Sequence, residues 1–267
     1  MTTNLSTDVS TDLTTSVALP ADRALFWALV ALAAATAALA VGLHLRSGAG
    51  DREALAAVST EQLAVRAGAG RDAQALQQLR YRAQGGAAQA QQALGSVLAS
   101  TDGADRAEAL QWLQAAQRQG DAQASYQLGR LHLQSGGQHD EALAAREFEA
   151  AAAAGHAGAA LQRGLMARRA QEPTAAARWL AQAAQAHDPQ ALFLLANAAR
   201  EGNGVPRDEA RALALYREAA ALEYPPAHQA LAMAYERGEL GLLRDTDQAR
   251  EALAEVAHSL KHPPVER

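Results

Sequence analysis

Residues 188–238 read DPQALFLLANAAREGNGVPRDEARALALYREAAALEYPPAHQALAMAYERG, and the organisation of the chain follows from them. Ala191 is followed five positions later by Ala196, and this first alanine-rich stretch runs into Gly202-Asn203-Gly204-Val205. A second stretch carries Leu215-Tyr216 and Ala219-Ala220, after which the pattern restarts at Ala227 and Ala232. Moving upstream, the same small-residue pair recurs as Ala159/Gly164, Ala124/Gly129 and Ala90/Gly95, with successive anchors 34, 35, 32 and 36 residues apart. A period near 34 residues divided into two helical stretches means stacked antiparallel helix pairs.

The second half of each unit repeats as well. Trp112-Leu113 leads to Ala115-Ala116 and Gly120, Glu147-Phe148 to an alanine run and Gly155, and Trp179-Leu180 to Ala183-Ala184. The large residue is expected to fill the gap between helices while the alanines let the next pair approach. Gly120 and Gly155 sit where a chain leaving a helix needs a positive φ, which glycine adopts without a steric penalty. Asp121 and Asp188 follow as N-caps, as does Asp140 beside His139 if that pair falls at a turn. Pro206 and Pro226 fit near helix starts, where a missing N–H costs little.

Composition agrees. Alanine, the best helix former, supplies 71 residues against 11 of Phe, Trp and Tyr, so the class is all-α. The net charge of −5 gives no electrostatic reason to expect a nucleic-acid partner. Lys261 is the one lysine, so the basic groups are arginines. There is no cysteine, which excludes disulfides, thiolate metal sites and thiol nucleophiles.

These units resemble the Sel1-like repeat, a relative of the tetratricopeptide repeat, whose pattern is roughly A-x-x-L-G-x-x-Y-x-x-G-x-G-V-x-x-D followed by A-x-x-W-Y-x-x-A-A-x-x-G. The fourth unit matches best in its loop, with Ala191, Leu195, Ala196, Gly202-Asn203-Gly204-Val205, Pro206-Arg207-Asp208 and Ala212. The second has Ala124, Leu128 and Gly129, and the fifth Ala227, Leu231, Ala232, Tyr235 and Gly238. The third unit departs, with a shortened loop around Glu172-Pro173. The resemblance covers residues 86–260 and implies a right-handed α/α solenoid of about five repeats. Residues 47–85 read as a linker and an irregular capping helix pair bearing Leu55, Leu63, Leu76, Leu79 and Tyr81. Leu253, Val256 and Leu260 would close the other end, and 261–267 form a tail.

Residues 24–45 read ALFWALVALAAATAALAVGLHL, without an acid or an arginine. As a helix they would span about 33 Å, against about 30 Å of bilayer hydrocarbon. One transmembrane helix is therefore expected over 23–46, behind a polar tail, 1–22, that holds no Lys or Arg before Arg23. That tail argues against a cleaved signal peptide, which wants a basic start. Arg46 and Arg52 after the segment, against Arg23 before it, favour a cytoplasmic solenoid. The resemblance points instead to a periplasmic one. The expectation is a bacterial inner-membrane protein with a periplasmic solenoid, the cytoplasmic side remaining open.

Chemistry finds little support. His258 and His262 share the four-residue spacing of zinc ligands on a helix, but nothing between them supplies a carboxylate, and the pair reads as a solvated helix end. Gly202-Asn203-Gly204-Val205 lacks the lysine of a phosphate-binding loop. No catalytic, cofactor or metal residues are expected.

In tetratricopeptide-like stacks the first helix of each pair lines the concave face. The resemblance carries that face onto Gln92 and Ser96; Tyr126 and Arg130; Leu161, Leu165 and Arg168; Phe193, Asn197 and Arg200; Gln229, Met233 and Glu236. Tyr126, Phe193 and Met233 would supply apolar contacts, and Arg130, Arg168 and Arg200 a basic row able to grip acidic side chains of an extended peptide or helix. Tyr126 and Phe193 serve equally well as packing between repeats. The expected function is a membrane-anchored scaffold holding a protein partner. The alternatives are a peptidoglycan-related envelope enzyme or accessory, and a structural spacer that binds nothing.

Overall fold

A computed structural model describes residue 55, residues 57–100 and residues 105–261, with the side chains of the last helix as far as Val256. The repeats lie within one compact unit, Val58–Arg267. The other, Met1–Ala57, falls almost wholly outside the described residues, and with it the expected membrane segment. Among the described residues no helix is long and apolar enough to cross a membrane.

Two short helices lead in, α1 (Thr60–Gly68) and α2 (Ala73–Gln84). Five pairs follow: α3 (Ala88–Ala99) with α4 (Arg106–Gln117), α5 (Ala122–Ser135) with α6 (Gln138–Ala153), α7 (Ala157–Arg169) with α8 (Pro173–Gln185), α9 (Pro189–Glu201) with α10 (Glu209–Ala221), and α11 (Pro225–Arg237) with α12 (Thr246–Lys261). Each helix packs against its neighbours in sequence, as a solenoid of antiparallel pairs requires. The expected all-α solenoid of Sel1-like pairs is what the chain forms.

The core of a unit is one large side chain set against one small residue. Leu113, Phe148, Leu180 and Tyr216, on the second helices, are almost wholly buried. A Cβ placed on Gly95 would lie 2.6 Å from Leu113, one on Gly129 2.7 Å from Phe148, and one on Gly164 3.0 Å from Leu180. The side chain that glycine lacks is thus the space the partner helix fills. Alanines at Ala151, Ala183 and Ala219 are fully buried and let the next pair approach closely.

The turns follow the sequence. Gly120 and Gly155 have φ of +85° and +90°, and the residue after each is an N-cap. The same left-handed step precedes α9 and α11, where His187 and Glu223 adopt it despite their Cβ atoms. Asp121 accepts the Ala124 N–H at 2.9 Å and Asp188 the Ala191 N–H at 2.8 Å. Asp140 differs from expectation. It lies in the first turn of α6 behind the uncapped Gly137, and its carboxylate sits 3.8 Å from His132. Its charge still favours the positive helix start.

The ends also depart from expectation. In the leading pair Leu63 and Leu79 are fully buried, whereas Tyr81 is 72% exposed. At the other end Val256 is buried but Leu253 is 52% exposed. Leu253 occupies the place that Tyr216 holds in the preceding unit, and among the described residues no further first helix follows to cover it.

The short connection of the third unit, residues 170–172, leaves room that the fourth unit uses. Gly204, at φ +80°, lies so close to the start of α8 that a Cβ there would be 2.1 Å from the Pro173 carbonyl oxygen. The Gly202–Val205 loop therefore lies on the neighbouring unit as well as closing its own.

Candidate partner-binding face of the first helices

The expected site residues fall on α3, α5, α7, α9 and α11 at spacings of three and four, which places those of each helix on one face. Packing divides them into two groups. Tyr126 stacks on the His156 ring, with centroids 4.4 Å apart and planes 18° apart, and lies 5.8 Å from Phe148. Phe193 lies between Tyr216 at 5.8 Å and Tyr224 at 5.6 Å. Each aromatic thus touches its own second helix and the cap residue of the next first helix, so both rings serve inter-unit packing.

Asn197 is engaged too, its Oδ1 accepting the Tyr216 hydroxyl at 2.5 Å. Burial pushes the Tyr216 phenol above its ordinary pKa, so the hydroxyl keeps the proton it donates. Replacing Tyr216 with Phe should leave the Asn197 amide oxygen without that partner and cost about 1 kcal/mol. A urea melt with an unchanged midpoint would show the bond to be inconsequential.

Arg200 is half-buried and donates to Glu201 at 2.9 Å, and that carboxylate holds its guanidinium above the ordinary value. Arg130 and Arg168 are exposed and have no ion-pair partner among the described residues. Gln229, Met233 and Glu236 are exposed as well, Met233 to 46%. The free part of the face is therefore Arg130, Arg168 and the α11 residues.

A residue missed in the sequence adds to this. Arg169, also exposed and without an ion-pair partner among the described residues, lines an open cleft of about 530 Å³ with Leu165, Arg168, Glu172 and Asn203, at the edge between the third and fourth units. It also lines a second cleft, of about 320 Å³, shared with Leu133, Glu141 and Met166. The signal in the sequence was the Arg168-Arg169 pair ahead of the shortened loop, which leaves both guanidinia near the same edge. By contrast Arg163 is held by Glu149 at 2.8 Å.

Among the described residues no three of His, Asp or Glu come together in a group that could hold a metal. The His187-Asp188 pair is accounted for by its turn. Asp188 caps α9 and the His187 ring faces Glu218 at 2.8 Å.

Comparison with known proteins agrees with this geometry. The Sel1 repeat family model matches residues 88–121, 122–156, 157–188, 189–224 and 225–251, five successive units that make up more than half of the chain. Among solved structures, c5321, a protective antigen of uropathogenic Escherichia coli with an SLR fold, is 25% identical over 70% of this chain with a TM-score of 0.64. This chain spans only 41% of that one. A Sel1 repeat protein from Oxalobacter formigenes is 28% identical, with a TM-score of 0.56, over 68% of this chain and 75% of its own length. No curated protein matches. With five contiguous repeats in register, the first three built on the same contact of a large side chain against a glycine, the chain belongs to the Sel1 repeat family.

Proposed function

We propose that the protein is a membrane-anchored scaffold whose first-helix face, the concave face of a right-handed solenoid, holds a protein segment bearing acidic side chains. The observation that carries this reading is the pair Arg168 and Arg169, exposed and lacking an ionic partner among the described residues at the edge of a cleft, while Arg163 and Arg200 on neighbouring positions are tied to carboxylates. Unengaged guanidinium forks beside an apolar Leu165 suit a carboxylate on an extended chain. Arg130 extends the basic row toward the second unit, and Gln229, Met233 and Glu236 give the far end a mixed surface.

The test uses a photoreactive residue at Leu165 or Met233 on this face, and at Arg178 or Arg217 on the second helices. Adducts are expected from the first pair. Replacing Arg130, Arg168 and Arg169 together with Ala should reduce them about 10-fold, the loss of about 1.4 kcal/mol of charge-assisted hydrogen bonding. Arg200→Ala should change little, since Glu201 already holds that group. Equal adducts from both faces, unaffected by the arginines, would indicate a spacer that binds nothing specifically.

Anchoring is the second part of the proposal and rests on the apolar run 24–45, long enough to span a bilayer. The domain plan is a polar tail over 1–22, the anchor over 23–46, a linker and leading helix pair over 47–85, the solenoid over 86–260 and a tail from 261. Residence in a bacterial inner membrane with the solenoid in the periplasm predicts digestion of the repeats by protease added to spheroplasts. Protection there, with digestion in inverted vesicles, would place the solenoid on the cytoplasmic side.

A further inference from the structure

The first helices of the second to fifth units start in two ways. At α5 and α9 the cap is an aspartate, Asp121 or Asp188, and the position of the preceding first helix equivalent to Tyr126 and Phe193 holds Gln92 or Leu161. At α7 and α11 the cap is a ring, His156 or Tyr224, lying against an aromatic of the preceding first helix, Tyr126 or Phe193. Tyr224 makes no side-chain cap bond and needs none to the first two positions, because Pro225 and Pro226 have no N–H. His156 does make one. Its Nδ1 accepts the Ala159 N–H at 3.1 Å, and its Nε2 lies 2.6 Å from the Gln123 Oε1.

Both bonds are satisfied by one form of the ring, neutral with the proton on Nε2. Nδ1 must be unprotonated to accept, and Nε2 must carry the hydrogen to donate to Gln123. A second proton would go to Nδ1, where it would point at the Ala159 N–H. It would also place a full positive charge at the positive end of α7.

We infer that His156 is an acid-sensitive joint between the second and third units, closed when the imidazole is neutral and loosened when it is protonated. The surroundings favour the neutral ring. Its backbone N–H is bonded to the Ala151 carbonyl of α6, and Tyr126 of α5 covers one ring face. Burial lowers its pKa below the ordinary 6.5, with a hydrogen bond to its own backbone and then the charge of Asp121, at the start of α5, pulling the other way. On the other packed elements, Glu149 of α6 is paired with Arg163 of α7. The folded pKa is depressed, so the stabilisation is complete above the unfolded value of about 6.5 and is lost as pH falls through the lower folded value. His132 and His187 differ in kind, because each faces a carboxylate, Asp140 or Glu218, and a proton there creates an ion pair rather than removing a cap.

Amide hydrogen exchange on the full chain tests this, read by peptide at about pH 7.5 and 5.5 and corrected for the intrinsic rate. Acidification should speed exchange about 5-fold in the first turn of α7 and in the facing turn of α5, the factor that loss of an ordinary cap produces. His156→Asp, which restores the cap used at Asp121 and Asp188, should abolish that local response. His156→Ala should exchange fast at both pH values. The same acid response in His156→Asp, or none in the natural chain, would overturn the proposal. Nitrogen chemical shifts of the His156 ring give a reading independent of the variants. The Nε2–H tautomer is expected near neutrality, and an Nδ1–H tautomer would exclude the cap.

Discussion

Replacing Phe148 with Ala should cost about 3–5 kcal/mol and open the solenoid at its second unit. The ring is fully buried, and a Cβ on Gly129 would come within 2.7 Å of it, so it occupies the space between α5 and α6. It also supports Tyr126 at 5.8 Å, which in turn stacks on the cap of the third unit. Truncation therefore leaves a cavity and removes a support from the junction. Because stability in a repeat array is nearly a sum of unit and interface terms, the loss should be concentrated in the second and third units. Hydrogen exchange should accelerate over α5, α6 and α7 while α9 to α12 stay protected. Gly129→Ala adds a methyl group to the same space, so it should destabilise the natural chain yet recover part of the loss in the Phe148→Ala background. A uniform loss of protection along the whole array would show instead that the repeats unfold as one block.

The period was legible because unit after unit repeats the same compromise, as in the first three, where a large residue on one helix sits against a glycine on the other. Glycine at the helix exits and aspartate at the helix starts were legible for a similar reason, since both are dictated by backbone geometry within a few residues. The cap role expected of Asp140 failed because α6 begins earlier than the turn chemistry suggested, with Gly137 at the cap. Tyr81 and Leu253 were misjudged for another reason. Apolar type at the ends of a stack does not reveal whether a neighbour exists to cover it. On the candidate face, the assignment of Tyr126, Phe193 and Asn197 to a partner could not be separated from packing, because their contacts lie in other helices. Tyr126 meets His156, Phe193 meets Tyr224, and Asn197 meets Tyr216. The arginines needed the same information. Arg163 and Arg200 are tied to carboxylates and Arg168 has no such partner among the described residues, a difference that residue type alone does not carry.

Gly204→Ala should destabilise the boundary between the third and fourth units by about 2–4 kcal/mol, an unusually large effect for adding one methyl group to a loop. Two costs coincide. The left-handed backbone at φ +80° disfavours any residue with a Cβ, and the added carbon would lie 2.1 Å from the Pro173 carbonyl oxygen. That oxygen belongs to backbone at the start of α8, so no side-chain rotation relieves the overlap and the loop must lift. Asn203 and Pro173 both border the cleft that presents Arg168 and Arg169, so lifting the loop alters the candidate site while the local cores of both units remain intact. The expected signature is consequently a split one. Far-ultraviolet circular dichroism should stay close to that of the natural chain, while protection is lost over the 202–208 loop and the first turn of α8, and capture by residues near Leu165 weakens. Gly202→Ala is a sharper comparison than a remote control. Gly202 also has a positive φ, but its Cβ would meet Arg207 no closer than 3.3 Å, so that variant incurs the backbone cost without the backbone overlap. Equal destabilisation by the two would mean that the left-handed conformation alone matters and that the contact with Pro173 carries no part of the coupling between units.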